Sequence, residues 1–185
     1  MKKGIIGIVC LVLSLVSPVI SAIKDIQFDQ RCAGFLKQAA DASSVELAER
    51  QLNLAIDYVE KVGLTSGYTS VIYKTEDENI DFWYENLKVC QRELAETKGN
   101  STLENTNVLM KLRESLTDNS ENGTRLTIPS GIYLYPNNAL FMVTNWISLF
   151  LFLGSLFLFV IALAEWNAEH EDDDQEEDEE EDDRV

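Results

Sequence analysis

Ala139-Leu-Phe-Met-Val-Thr-Asn-Trp-Ile-Ser-Leu-Phe-Leu-Phe-Leu-Gly-Ser-Leu-Phe-Leu-Phe-Val-Ile-Ala-Leu-Ala164 runs for 26 residues without a formal charge. A bilayer core of about 30 Å needs roughly 20 helical residues. From Phe150 onward every face of such a helix is apolar, whereas a helix in water would keep a polar side. Trp146 and Trp166 stand 20 residues apart. At 1.5 Å per residue that is about 30 Å, the spacing of two interfacial aromatic belts. The reading is a transmembrane helix over 139–164, and the remaining chain is organised around it.

The chain has 185 residues and a formal net charge of −17, but the charge is segregated. Fourteen of the 32 acidic residues follow Ala164, so the middle of the chain is only mildly acidic. The segment 165–185 has almost no apolar residue and is expected to be a disordered acidic tail, because it has nothing to bury. Three readings suit it: a solvated brush, a docking segment for a basic protein, or a weak divalent-cation binder. A pI near 4.3 excludes nucleic acid as a partner, since phosphate binding needs clustered Lys and Arg.

At the other end, Met1-Lys2-Lys3 precedes an apolar run from Ile5 to Val16, then Pro18 and the small pair Ser21-Ala22. This is the layout of a secretory signal peptide over 1–22, with cleavage after Ser21 or Ala22. The alternative is an uncleaved anchor from Ile5 to Ile23. Either would export the region 23–138. The positive-inside rule conflicts, because Lys111, Arg113 and Arg125 precede the span and no basic residue closely follows it. Export dominates, which puts the N-terminal domain outside the cytoplasm and the tail inside. The short Lys-Lys start points to a bacterial inner membrane.

Between the two apolar stretches the periodicity is helical. Phe28, Cys32, Phe35 and Ala39 form one stripe; Val45, Ala48, Leu52, Ala55 or Ile56, and Val59 form a second. Ser43 with Glu46 reads as a capping box for the second helix, and Gly63 as its C-terminal stop. A third helix over about 77–98 carries Ile80, Trp83, Leu87, Cys90 and Leu94, and a fourth over 102–116 turns Leu109, Leu112 and Leu116 inward. The fold class is therefore all-α. A small exported bundle of three to four helices over 23–117 leads through a juxtamembrane stalk over 118–138 to a single-pass anchor. Ile132, Tyr133, Leu134 and Tyr135 of the stalk are expected at the lipid headgroups.

Cys10 lies in the signal region. Cys32 and Cys90 both fall on inward stripes, and in an exported chain they are expected to form a disulfide, with two buried thiols as the alternative. The loop 63–75 holds Tyr68, Val71, Ile72 and Tyr73, and either packs down as a lid or serves recognition. In Asp81-Phe-Trp-Tyr-Glu-Asn86, Trp83 points to the core. Phe82 and Tyr84 flank it, so the candidate binding residues are Tyr68, Tyr73, Phe82 and Tyr84.

Catalysis and metals find little support. The one His, His170, lies in the tail, and there is no Walker sequence and no HExxH. Asp77, Asn79 and Asp81 alternate as in a calcium loop but lack its glycine. Asn100-Ser-Thr102 and Asn122-Gly-Thr124 are glycosylation sequons only in a eukaryotic host. No enzyme, cofactor or metal is expected. The leading reading is a membrane-anchored interaction or accessory protein in the lipid bilayer with a membrane or cytoplasmic protein partner. The alternative is an anchored binding module for a small ligand or peptide, using the 63–75 loop and the Phe82–Tyr84 region.

Overall fold

The computed structural model describes residues 2–97, 101–120 and 123–182, and the side chains of all of these except 2, 3, 119, 120 and 168–182. Both sequons include a residue outside the described set, and His170 lies among the tail side chains outside it. The architecture is all-α apart from one short hairpin. In order, it comprises α1 (Lys2–Phe28), a π-helical turn (Asp29–Ala33), α2 (Gly34–Ala40), α3 (Val45–Val62), α4 (Ile80–Thr97), α5 (Thr102–Leu116), the strands β1 (Thr117–Ser120) and β2 (Gly123–Leu126), and α6 (Asn138–Asp182). The chain forms two compact units, Ser21–Leu140 and Met1–Ile20 with Phe141–Val185.

In the unit Ser21–Leu140 the apolar stripes meet. Ile80, Trp83, Leu87, Cys90 and Leu94 of α4 are all buried, as are Val45, Ala48, Leu52, Ala55, Ile56 and Val59 of α3. From the first stripe Phe28, Cys32 and Ala39 are buried; Leu36 is buried beside them, while Phe35 packs at the margin. Helices α2, α3, α4 and α5 all touch one another except α2 with α4, for which no strong contact occurs. Leu112 and Leu116 of α5 close the core, with Leu109 partly buried against it.

Helix ends follow local chemistry. Ser101 accepts a hydrogen bond from the Glu104 N–H, and Glu104 Oε2 accepts from the Ser101 N–H at 3.0 Å, a complete capping box. Helix α3 is capped one residue later than expected: Ser44, not Ser43, accepts from the Leu47 N–H at 3.2 Å. Adjacent serines make either register available. Gly63 ends α3 with φ of 75°, a left-handed conformation that costs glycine nothing.

Three expectations are corrected by the backbone. The boundary between 1–22 and the bundle from residue 23 is not a helix end; α1 runs through Pro18 without interruption and continues by way of the π turn into α2. Proline removes one backbone donor, a loss that apolar helices tolerate when neighbouring groups re-satisfy the freed carbonyl. The segment 118–138 is not a free stalk. Its hairpin pairs Thr117 with Leu126 and Asp118 with Arg125, and a 3-10 turn at Ile132–Leu134 brings Ile132 into the core at 1% exposure. Apolar contact with the bundle outcompetes the headgroup region for Ile132, Tyr133 and Tyr135. Finally, the acidic segment continues α6 as helix to Asp182 rather than being irregular. Extending a helix already nucleated by its apolar half costs far less than starting one.

The other unit is helical and contains long apolar stretches. Two stretches, Gly4–Ala40 and Asn138–Asn167, are long and apolar enough to cross a membrane. Their large side chains face outward: Ile5, Ile8, Val12, Phe150, Phe157 and Val160 are among the more exposed large apolar residues of the chain. In water that surface would be strongly unfavourable; in lipid it is the expected arrangement.

Candidate functional site

The 63–79 loop is anchored at both ends and apolar at its tip. Leu64 and Thr69 are buried, and Tyr68 forms an isolated bridge to Asn79. The Thr69 N–H donates to the Glu78 carbonyl and the Ile80 N–H to the Gly67 carbonyl, both at 2.9 Å. The Gly67 N–H donates to Asp81 Oδ2 at 3.0 Å. These bonds tie the loop to the first turn of α4. Ser70 Oγ accepts from the N–H groups of Ile72 and Tyr73, at 3.3 and 3.0 Å, which shapes the turn at the tip.

Beyond that frame the apolar side chains stand in solvent. Val71, Ile72 and Tyr73 are 48%, 69% and 66% exposed. The tip therefore does not pack down as a lid. Apolar groups concentrated on an anchored loop are uncommon on soluble surfaces and mark contact sites. Phe82, on the first turn of α4, is 55% exposed, whereas the neighbouring Trp83 is buried.

The four candidate binding residues divide. Tyr73 and Phe82 are presented outward. Tyr68 is half-buried, with the Lys74 ammonium 5.6 Å above its ring, an arrangement that steadies the loop. Tyr84 is tied into the fold: its hydroxyl donates to Glu60 Oε1 at 2.7 Å, where Lys88 also reaches at 3.3 Å. The hydrogen bonds from Tyr84 and then Lys88 hold the Glu60 carboxyl below the usual range, and the same carboxylate pushes the Tyr84 phenol up to about 12. Tyr84 thus joins α4 to α3.

Cys32 and Cys90 are separate buried thiols, not the expected disulfide. Both stripes face the core, but at different places along it. Cys32 lies where Phe28 meets Tyr58 edge to face at 6.2 Å, while Cys90 neighbours Ser115 of α5. Burial raises the Cys90 thiol above its ordinary value, which suppresses the thiolate. Maleimide applied to the native chain is expected to leave Cys32 and Cys90 unlabelled, and both are expected to label once the chain is denatured without reductant. Failure to label after denaturation would show a bridge.

Phe82 and Trp83 also border a groove of about 530 Å³ between α4 and the segment that follows β2. Leu87, Leu126 and Ile128 make it apolar, and Glu76, Asp77, Asp118 and Arg125 supply charge. A second cavity, of about 660 Å³, is bordered by Lys37, Arg113 and Arg125 with Asp41, which pairs with Arg113 at 2.8 Å. Among the described residues no group of three or more His, Cys, Asp or Glu side chains is placed to hold a metal ion.

No protein-family model, curated protein or solved structure matches the chain. The class defined by its fold is a mostly helical protein with two helices long and apolar enough to cross a membrane.

Proposed function

We propose that this chain is a membrane-anchored, non-enzymatic interaction protein. Its helical domain lies outside the cytoplasm, α6 crosses the bilayer, and the acidic segment after Trp166 lies on the cytoplasmic side. The domain presents the tip Val71-Ile72-Tyr73, with Phe82, to a protein partner within a larger membrane assembly. The observation that carries the reading is the exposure of that tip on a loop whose two ends are hydrogen-bonded in place. Burying three such side chains in an interface is favourable at roughly 25 cal/mol per Å² of apolar surface. A pre-anchored loop also loses little conformational freedom on binding.

A photo-crosslinking residue in place of Ile72, in intact membranes, is expected to give one adduct of defined mass, and the same residue in place of Glu46 on α3 none. Ile72→Ser with Tyr73→Ser is expected to abolish copurification of that partner without changing the folded domain. Equal crosslinking at both positions, or none at Ile72, counts against the reading. Extraction of the chain from membranes by alkaline carbonate would remove the anchoring half of it.

The groove beside Phe82 favours a second reading, an anchored binding module for a small ligand or peptide, since its volume is that of ordinary ligand pockets. Saturable quenching of tryptophan fluorescence that Phe82→Ala abolishes and Ile72→Ser leaves intact would select this reading.

A further inference from the structure

We infer that the N-terminal apolar helix is retained, and that its small-residue face is the docking surface for the apolar half of α6, so that the anchor is an antiparallel two-helix hairpin. The inference rests on the reading that α6 crosses the bilayer.

The inward positions of the N-terminal helix are Gly4, Gly7, Cys10, Ser14 and Ser17, recurring every three or four residues. Every one is small, while Ile5, Ile8, Val9, Val12 and Val16 between them are exposed. A signal peptide needs an apolar run and a cleavage site; it has no need to gather its small residues on one helical stripe. A permanent helix in lipid does, because small residues let two backbones approach and let hydroxyls bond across the interface.

The facing stripe on α6 is Thr144, Ser148, Leu151, Ser155 and Leu158, again every three or four residues. A Cβ added at Gly7 would meet the Ser155 carbonyl oxygen at 3.5 Å and Leu158 Cβ at 3.6 Å, so the helices are already in contact there. At the other end Ser17 Oγ donates to Asn145 Oδ1 at 2.8 Å and lies 3.0 Å from Thr144 Oγ1. Gly7 beside Ser155 and Ser17 beside Thr144 make the pair antiparallel. Ser14 and Ser155 are buried, at 3% and 2% exposure, on helices otherwise covered largely by exposed apolar side chains. Sheltering the polar atoms inside and turning the large apolar groups outward is what a helix pair in hydrocarbon requires.

The geometry brings the start of α1 and the end of the apolar part of α6 to the same face of the bilayer. Lys2 and Lys3 then mark that face as cytoplasmic by the positive-inside rule, which removes the conflict raised by the absence of basic residues after the span.

The test uses the full chain in membranes. Its intact mass is expected to retain the first 22 residues; a mass short by that segment overturns the inference. In a Cys10→Ser background, Ser17→Cys with Thr144→Cys is expected to oxidise to an intramolecular bridge about tenfold more completely than Val12→Cys with Phe157→Cys, whose side chains point away from the interface. A retained helix without that bridge overturns the docking, and a bridge joining two chains assigns the face to a second copy instead. If the paired variants fail to accumulate, the mass of the unmodified chain still decides whether the helix is kept. Carbonate extraction of the unmodified chain separately tests the membrane reading.

Discussion

Trp83→Ala is expected to destabilise the helical domain by about 3–5 kcal/mol, the range for removing a large aromatic from a core. Trp83 is 6% exposed and shares its stripe with Ile80, Leu87, Cys90 and Leu94. The indole fills the space between α4 and the rest of the core, and alanine leaves a cavity that a close-packed interior closes only in part. Domains of this size are stable by roughly 5–15 kcal/mol, so the variant would lose a large share of the total. Thermal unfolding of the solubilised full chain, followed by circular dichroism, should show the midpoint fall by roughly 10 °C or more. Phe82→Ala, one residue away, should leave the midpoint nearly unchanged, because Phe82 is 55% exposed. Equal effects from the two substitutions would mean that the helix is rotated from the orientation described.

Gly67→Ala is expected to cost about 2–4 kcal/mol and to abolish the interaction proposed for the 71–73 tip. Gly67 has φ of 108°, a conformation that costs residues with a Cβ about 1–3 kcal/mol. A Cβ there would also lie 2.4 Å from Tyr135 Oη and about 3 Å from two ring carbons. Relief requires Tyr135 or the loop to move, and the loop is held by both backbone groups of Gly67: its N–H on Asp81 and its carbonyl on Ile80. The strain therefore reaches the frame that presents Ile72 and Tyr73. Tyr135→Ala in the Gly67→Ala background should recover the steric part of the loss and not the conformational part, giving non-additive stabilities in a double-mutant cycle. Full additivity would show that the two residues do not touch.

Much of the helical domain was legible because amphipathic periodicity needs no tertiary information. The α4 stripe is complete in the sequence, and α5 spans Thr102–Leu116 as its leucine pattern implies, with Ser101 and Glu104 capping its first turn. Local chemistry favours Ser43, which has Glu46 three residues on, yet the structure caps α3 with Ser44, one residue later. Of the candidate residues, Tyr73 and Phe82 stand outward, whereas Tyr84 is engaged with Glu60, 24 positions earlier in the chain. Gly67 was missed altogether, because its role depends on Tyr135. A local signal for the stalk error did exist: Leu126, Ile128 and Ile132 are more apolar than a solvated spacer needs, and all three pack on the core.

The sequence by itself determined the amphipathic helices of the bundle, which of their faces are apolar, and that the charge and the grease are kept apart. Those properties follow from side-chain chemistry at short spacing, which the backbone converts directly into local structure. Only the tertiary structure decided which apolar surfaces find each other. It separated Cys32 from Cys90, folded residues 126–135 onto the bundle, left Val71, Ile72 and Tyr73 uncovered, and set the small face of the first helix against α6. Such choices depend on shape and packing between segments far apart in the chain, where hydrophobicity is common to every candidate and only geometry discriminates.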